Sequence, residues 1–186
     1  MAFYTRKGDG GTTKTLKQKP GDRVSKASCT TEALGTLDEL NSFLGLCKVK
    51  AKGLKWKIEE KTPSEIVNQA QQNLFIVQAE IAGAEKTIKA SKVGEVETLV
   101  DEMEKLMPPI KSFFVSGGTE AGALFDVART FVRRAERTVI RAVEAGEVSI
   151  GEHTRAYLNR LSSLCYALAR FSNFKADVKE EPPSYE

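Results

Sequence analysis

Three charged side chains of one predicted helix have the types and spacing needed to bind phosphate. Arg129, Arg133 and Glu136 stand at positions i, i+4 and i+7, so at about 100° per residue they fall within about 60° of one another. Two guanidinium groups one turn apart form a forked donor array for phosphate oxygens, and a neighbouring carboxylate can hold one of them in place. The alternative is a solvated arginine-rich face, and this helix alone does not decide between the two.

The stretch that carries these residues, 116–141, predicts an amphipathic helix. A glycine pair leads into Thr119, which is a good N-cap. The apolar residues form a stripe about a third of a turn from the charged set. They are Leu124, Val127, Ala128, Phe131, Ala135, Val139 and Ala142. Arg134 flanks this stripe on its other side, so the two faces are not cleanly separated.

A second candidate is the N-terminal segment 1–26, which shows no period of 2 or 3.6 and predicts a mobile basic arm. Its glycines let backbone amides approach an anion, its threonines add hydroxyl donors and its lysines add charge. The residues concerned are Thr5, Arg6, Lys7, Gly8, Asp9, Gly10, Gly11, Thr12, Thr13 and Lys14. The Walker A pattern is absent. The arm is therefore either a disordered tail or, beside the arginine helix, a phosphate clamp that orders on binding.

Two more polar residues occupy predicted helices. Asp38, in the segment GTLDELN, either pairs with Arg129 across the bundle or is a surface acid. Asn159 lies on a polar ridge and is either solvated or directed at a ligand in an intersubunit groove. The only histidine, His153, is interpreted as a surface residue, and a di-iron site is excluded because its histidines and Glu-x-x-His pairs are missing.

Hydrophobic periodicity predicts five helices that position these residues, and no convincing strand. We expect the helices over about 27–50, 64–81, 93–107, 119–145 and 151–175, with Ser64 as the N-cap of the second. A lysine-rich connection, 51–63, has Trp56 as its anchor. The predicted fold is an all-α five-helix bundle with domain limits of 1–26 for the arm, 27–175 for the bundle and 176–186 for a disordered tail. The second helix is apolar around more than half its circumference, which favours burial between subunits.

Composition excludes several classes of protein. The 186 residues, 41% hydrophobic and 28% charged, fit one globular domain, and a net charge of +3 is too small to argue for nucleic acid. Cys29, Cys47 and Cys165 have no C-x-x-C spacing, which argues against a disulfide framework or zinc site and suits a reducing compartment. The sequence shows neither a signal peptide nor an 18-residue apolar run, so a cytoplasmic protein without membrane contact is expected.

Four segments occur in a specific order along nearly the whole chain. They are YTRKGDGGTT, RVSKASCTTEALGTLDELNSFLG, GGTEAGALFDVARTFVRRAERTV and LNRLSSLCYALAR. Together they closely resemble the ATP:cob(I)alamin adenosyltransferases of the propanediol-utilisation and human mitochondrial type. The resemblance implies homotrimers of five-helix bundles with active sites in grooves between subunits. It implies transfer of the 5′-deoxyadenosyl group of ATP to the cobalt of cob(I)alamin, with release of triphosphate and with Mg²⁺ bound through ATP.

The resemblance also implies roles for individual residues. The catalytic set is Asp38, Phe113, Arg129, Arg133 and Glu136; Arg129 pairs with Asp38 across an interface, Glu136 serves the nucleotide and Mg²⁺, and Phe113 displaces the lower axial base of the corrinoid. The ATP-binding set is Thr5, Arg6, Gly8, Asp9, Gly11, Thr12, Thr13, Lys14, Lys26, Arg133, Glu136, Arg137 and Asn159. No direct cluster of protein ligands for a metal is implied. A flavin-type reductase and a cobalamin-dependent enzyme are the expected partners.

These roles agree with the chemistry. Cob(I)alamin is already a strong nucleophile, so the protein has to align cobalt with C5′ and stabilise charge growing on triphosphate, which arginines, lysines and Mg²⁺ can do. Reduction of Co(II) is the harder step, and a phenylalanine that cannot ligate removes the axial donor and raises the potential.

Three positions depart from the family pattern. Ser116 replaces a common proline, Asp126 replaces a histidine and Leu34 replaces a tyrosine. Ser116 loosens the linker, and Asp126 adds a carboxylate near Arg129 that leaves the pairing of this arginine open.

Two other functions compete with the enzyme. One is a non-catalytic ATP-sensing helical bundle, which the presence of Phe113 disfavours. The other is an RNA-binding or acidic-partner module that uses Arg134, Arg137 and Arg141; one tryptophan and scattered aromatic residues give it little stacking platform.

Overall fold

A computed structural model describes residues 4–186, so residues 1–3 of the predicted arm lie outside the described part. Within it the chain forms five α-helices, which confirms the predicted all-α five-helix bundle. The helices are α1 (Cys29–Ala51), α2 (Pro63–Ala82), α3 (Ala90–Leu106), α4 (Glu120–Glu144) and α5 (Glu152–Lys175). Helix α1 packs between α2 and α4, α4 packs on α5, and α5 also contacts α3.

The predicted apolar stripes form the core. Leu37, Leu40 and Leu44 of α1 are at most 1% exposed, and Phe125 of α4 is buried to the same degree. Trp56 is confirmed as the anchor of the connection between α1 and α2, because its ring meets Phe171 edge-on at a centroid distance of 4.8 Å. Because the apolar stripe of α4 faces the core, the charged residues of this helix lie on its other face.

Two helix starts differ from the sequence prediction. Ser64 is not the N-cap of α2: Thr62 is, and it exchanges hydrogen bonds with Glu65 in a capping box. Pro63 occupies the first helical position, where its fixed φ suits a helix and its missing N–H costs nothing. Helix α3 begins at Ala90 rather than at 93, since its N-cap, Lys89, has no side-chain capping bond that a sequence could reveal.

The expectation of no strands was wrong for the arm. Strands β1 (Thr12–Thr13) and β2 (Val24–Ser25) form a two-residue antiparallel ladder in which Thr12 faces Ser25. Two residues are too few to show an alternating pattern in the sequence, and the pairing joins residues a dozen positions apart. The domain limits at 26 and 175 stay a prediction.

Acidic side chains from other parts of the chain cap the starts of two helices. Glu147, after α4, accepts hydrogen bonds from the amides of Cys29 and Thr30 at the start of α1. Glu80 of α2 accepts one from the amide of Gly151 at the start of α5. Acidic side chains stabilise the positive ends of helix dipoles, so these contacts fix how the helices are placed relative to one another.

Asn173 of α5 sets the start of α4 and the end of the linker before it. Its Oδ1 accepts from the amide and hydroxyl of Thr119, both at 2.9 Å, and its Nδ2 donates to the carbonyl of Gly117 at 2.8 Å. A Cβ on Gly118 would lie 2.7 Å from Asn173 Oδ1, and the φ of Gly118 is +100°. Gly118 is therefore required both by backbone conformation and by the close approach of Asn173, whereas Gly117, with φ of +134°, is required by backbone conformation alone.

Candidate functional site

The described surface carries a groove of about 870 Å³ between the linker 110–118, α4 and α5. Arg129 and Arg133 line it from α4, Tyr166 lines it from α5, and Phe113 projects from the linker with 79% of its surface exposed. Three of the five residues of the predicted catalytic set are thus brought together, although Phe113 lies 16 positions before Arg129 in the sequence.

Arg129 is only partly satisfied within its own chain. Its guanidinium carbon lies 5.9 Å from the centre of the Tyr166 ring, and its Nε is 3.8 Å from Asp126 Oδ1, too far for a hydrogen bond. That Nε is buried and has no hydrogen-bond partner among the described residues. Leaving a buried guanidinium donor without an acceptor costs folding free energy. Arg129 Nε can therefore bind an acceptor that residues 4–186 do not supply.

Asp126 is the carboxylate that replaces the family's histidine. Burial raises the pKa of its carboxyl, whereas the hydrogen bond from the Gly117 amide and the charge of Arg129 oppose this shift. Its Oδ2 accepts from Gly117 at 3.4 Å. Asp126 therefore ties the glycine turn to α4 and makes no hydrogen bond with Arg129. Arg129 thus stays available for the pairing with Asp38 that the family resemblance implies.

Glu136 and Asn159 line a second depression, of about 660 Å³, on α4 and α5. Asn159 Nδ2 donates to Glu136 Oε1 at 3.3 Å, and Asn159 Oδ1 accepts from Arg160 at 2.8 Å. Ile140, Ile150 and Ala156 form the apolar part of the lining. An apolar patch beside an amide, a carboxylate and arginines offers both stacking area and hydrogen-bonding groups for a heterocycle.

The other arginines of α4 have different surroundings. Arg137 is exposed and lines neither depression. Arg134 forms an ion pair with Glu39 of α1 and lies 4.7 Å over the Phe131 ring, which ties α4 to α1. The contacts of Arg134 explain its place beside the apolar stripe, because its charge is matched by α1.

Asp38 is not brought to Arg129 within the described chain. It is exposed on α1, lines neither depression and makes no hydrogen bond or ion pair with residues 4–186. The exposed Asp38 carboxylate on α1 and the buried Arg129 Nε on α4, which has no hydrogen-bond partner, are complementary groups that lie apart within the described chain.

The predicted ATP residues of the arm gather in one loop. Thr5, Arg6 and Asp9 are exposed in the turn that precedes β1, Thr12 and Thr13 form β1, and Lys14 follows it. The Lys26 amide donates to the Gly11 carbonyl at 2.9 Å. A Cβ on Gly8 would lie 3.1 Å from Lys26 Nζ, so the lysine crosses the glycine turn closely. The structure thereby brings Lys26 to Gly8 and Gly11.

The arm is attached to the bundle behind this loop. Thr15 and Leu16 line a depression of about 460 Å³ together with Leu34 of α1 and Ala82 of α2. Lys17 crosses Gly83 and its Nζ donates to the Glu147 carbonyl at 3.4 Å. Leu34, which departs from the family pattern, therefore shares the lining of this depression with Lys14, Thr15 and Leu16 of the arm.

Sequence reasoning missed three features. Arg23 binds Thr12, Arg170 lies in the groove wall, and the tail residues 178–181 line the groove. Arg170 stood on the predicted polar ridge, which was the only sequence signal for it. Arg23 and the tail gave none, since their contacts join distant positions.

Some chemistries find no support among residues 4–186. No group of three or more His, Cys, Asp and Glu side chains is arranged to hold a metal. Burial raises the pKa of Cys47 to about 12 and raises that of Cys165, so neither is a thiolate at neutral pH. None of the described helices is both long and apolar enough to cross a bilayer.

Residues 3–172 match the family model described as cobalamin adenosyltransferase. The chain is 36% identical over 183 residues to the corrinoid adenosyltransferase PduO of Citrobacter freundii, covering 95% of this chain and 51% of that protein. It is 34% identical to the corrinoid adenosyltransferase of Bacillus subtilis, covering 96% and 90% of the two chains. The chain spans about half the length of the first curated relatives it matches, at 51% and 49%.

Solved structures agree with this match. A variant PduO-type ATP:corrinoid adenosyltransferase from Lactobacillus reuteri, complexed with cobalamin and ATP, superposes with a TM-score of 0.85 at 26% identity, covering 99% of this chain and 97% of that chain. Another variant of that protein, complexed with ATP, gives 0.84 at 27% identity, covering 98% and 100%. The family predicted from the four segments is confirmed: the chain belongs to the cobalamin adenosyltransferase family.

Proposed function

We propose that the protein is an ATP:cob(I)alamin adenosyltransferase, with the corrinoid in the groove at Phe113 and the nucleotide at the adjoining depression. The observation that carries this proposal is the arrangement along α4. Arg129 and Arg133 line the groove into which Phe113 projects, and Glu136, one turn on, lines the depression with Asn159. An aromatic platform and a heterocycle site thus flank one arginine pair. The complexes of the Lactobacillus reuteri relative with cobalamin and ATP support this choice of ligands.

The nucleotide contacts follow from charge and position. Arg133 is exposed, lines the groove and stands about one helical turn before Glu136, so it would bind the triphosphate. Asn159 and the apolar residues that line the depression with Glu136 would receive the adenosine. The glycine turn with Lys26, together with Thr5, Arg6, Gly8, Asp9, Gly11, Thr12, Thr13 and Lys14, would close over the phosphates. Arg137, exposed one residue after Glu136, would add a further cation.

Mg²⁺ would reach the site with ATP. The described residues hold no cluster of three ligating side chains, so the ion would keep phosphate and water ligands, with Glu136 as its protein carboxylate. The ion would neutralise charge on the phosphate oxygens. The residues present fit such a complex: the Glu136 carboxylate would bind the positive Mg²⁺, and the arginines would bind the negative triphosphate.

The transfer needs no nucleophilic side chain. Cobalt(I) of the corrinoid attacks C5′ of ATP, a cobalt–carbon bond forms, the C5′–oxygen bond breaks, and its electron pair leaves on the triphosphate. Arg133 and the arm lysines would stabilise that charge, and the two depressions would fix the line of attack. Neither buried thiol nor His153, which lies in the first turn of α5 away from the groove, is required.

Phe113 would act on the step before transfer. Its exposed ring carries no donor atom, so a corrinoid seated against it would lose the lower axial ligand, and the Co(II)/Co(I) potential would rise. A flavin-type reductase is the electron donor we propose, and a cobalamin-dependent enzyme would use the product. We propose a cytoplasmic location, because the reduction of cobalt and the three free cysteines both fit a reducing compartment.

The site would be completed by a second subunit. Arg129 Nε is buried without an acceptor, and Asp38 is an exposed carboxylate without a donor, within residues 4–186. A homotrimer in which Asp38 of one subunit meets Arg129 of the next would satisfy both groups. Large exposed apolar residues of α1 and α2, Leu46, Val49 and Phe75, support burial between subunits.

Anaerobic incubation with cob(I)alamin, ATP and Mg²⁺ tests the proposal. We expect the Co(I) absorption spectrum to convert to that of an alkylcobalamin, with one triphosphate released per turnover. ATP binding without conversion would instead support the non-catalytic ATP-sensing bundle. Of the three arginines that an RNA-binding function would use, Arg134 is engaged by Glu39.

A further inference from the structure

The C-terminal tail runs along the wall of the groove. Residues 178–181 line it together with the linker that carries Phe113. The Val115 amide donates to the Glu181 carbonyl at 2.8 Å, which joins tail and linker backbones two residues from Phe113. The family match ends at residue 172, so this part of the groove lies outside the matched segment.

Arg170 of α5 holds the tail in this position. Its Nε and Nη2 donate to the two carboxylate oxygens of Glu180, both at 2.7 Å, and the Arg170 side chain is 8% exposed. A bidentate, largely buried ion pair of this kind is strong, and loss of one partner leaves a buried charge uncompensated. The tail is therefore fastened by a specific contact and not by general packing.

The same guanidinium also holds the linker. Arg170 Nη2 donates to the Pro108 carbonyl at 3.4 Å, and its Cζ lies 5.3 Å from the centre of the Phe114 ring. Arg170 thus contacts the chain two residues before the linker, at Pro108, and within the linker at Phe114, the neighbour of Phe113, while Glu180 binds Arg170. The exposed Phe113 ring projects from a backbone held on both sides by these contacts.

We propose that residues 178–181 are a wall of the corrinoid site and that Glu180 is a positioning residue, which acts through Arg170 to hold Phe113 beneath the ring. This inference rests on the proposed function. Glu180 would not touch the reacting atoms. The Glu180–Arg170 pair keeps the linker in one conformation. Corrinoid binding therefore does not carry the entropy cost of ordering the linker.

The test uses the full-length protein with Glu180→Gln. We expect the Val115 amide to exchange its hydrogen at least about tenfold faster, because its bond to Glu181 opens with the tail. We expect the corrinoid Kd, measured by absorbance titration, to rise about tenfold, while the KM for ATP stays within about twofold. A purely structural role would change both substrates alike or neither.

Two variants complete the design. Asp177→Asn removes one negative charge from the same tail, and the Asp177 carboxylate makes no hydrogen bond or ion pair within residues 4–186, so exchange and corrinoid binding should match the unmodified protein. Glu180→Asp keeps the charge and should recover most of the corrinoid affinity.

Unchanged corrinoid binding in Glu180→Gln overturns the inference, and so does tighter binding, which would mean that the tail covers the groove and does not build it. These results are distinct from failure of the proposed function. In that case the unmodified protein itself would neither bind the corrinoid nor convert it, whatever the state of the tail.

Discussion

Arg23 holds Thr12 by two hydrogen bonds: its Nε donates to the Thr12 hydroxyl at 2.7 Å and its Nη2 donates to the Thr12 carbonyl at 2.8 Å. These bonds fasten the two strands of the arm beyond their short ladder. Thr12 is one of the proposed phosphate donors, so Arg23 sets the shape of the loop that would close on ATP. Preorganisation of this kind lowers the entropy cost of binding.

Arg23→Ala is therefore expected to raise the KM for ATP by about tenfold, the effect of losing charge-assisted hydrogen bonds. The turnover number at saturating ATP and the corrinoid KM should change little. Steady-state kinetics with each substrate varied in turn measure this. Lys19→Ala, which removes a positive charge from the same arm, should leave the KM for ATP unchanged; equal losses in the two variants would indicate a general charge effect.

Arg133→Ala should reduce kcat by at least about a hundredfold, because the proposed charge stabilisation on the leaving triphosphate is lost. Circular dichroism and sedimentation should show an intact, folded oligomer, since Arg133 is exposed. Arg141→Ala is the control: it removes an exposed arginine of the last turn of the same helix, which lines neither depression. Retained activity in Arg133→Ala would contradict the assignment.

Phe113→Ala should separate the two steps of the reaction. With cobalamin already reduced to Co(I), activity should fall by less than about tenfold; with Co(II) and a reductant, it should fall by more than about a hundredfold, because the lower axial ligand stays bound. Phe174→Ala, an exposed aromatic residue outside the groove, should affect neither assay. Equal losses in the two assays would show that Phe113 only packs against the corrinoid.

Mixing two inactive variants tests the pairing of Asp38 with Arg129. If the pair forms between subunits, Asp38→Ala and Arg129→Ala chains refolded together in equal amounts should regain about a quarter of the activity, since about one site in four then receives both native residues. If both residues of a pair come from one subunit, the mixture should stay inactive. Each variant refolded alone provides the baseline.

Glu147 should make stability depend on pH. Hydrogen bonds from the Thr30 amide and hydroxyl lower the pKa of its carboxyl below the ordinary 4.5. A depressed pKa stabilises the fold above the ordinary value, and this stabilisation is lost as the pH falls through the lowered one. Glu147→Gln should therefore lower Tm by about 2 °C at neutral pH, with the difference closing under acid.

Thermal melts of both proteins from neutral pH down to below the ordinary glutamate pKa measure this difference. Glu144→Gln is the matched control, because Glu144 ends α4 nearby and makes no ion pair among the described residues. If the difference in Tm between Glu147→Gln and the unmodified protein stays constant with pH, the capping bonds do not depend on the charge of Glu147.

The sequence by itself determined the helices and the order of the charged residues on α4. Hydrophobic periodicity is a local signal, repeated over several turns, so it predicted five helices with errors only at caps such as Thr62. The spacing of Arg129, Arg133 and Glu136 follows from helix geometry and needed no further information. The family resemblance was likewise readable from consecutive residues.

Only the tertiary structure decided which of these residues meet. It placed Phe113 and Arg129 in the lining of one groove, placed Glu136 and Asn159 in a separate depression, and left Asp38 outside both. It also joined Arg23 to Thr12, and Glu180 of the tail to Arg170. Such contacts depend on how whole helices and loops pack, and a short polar segment carries no periodic pattern that would indicate its partner.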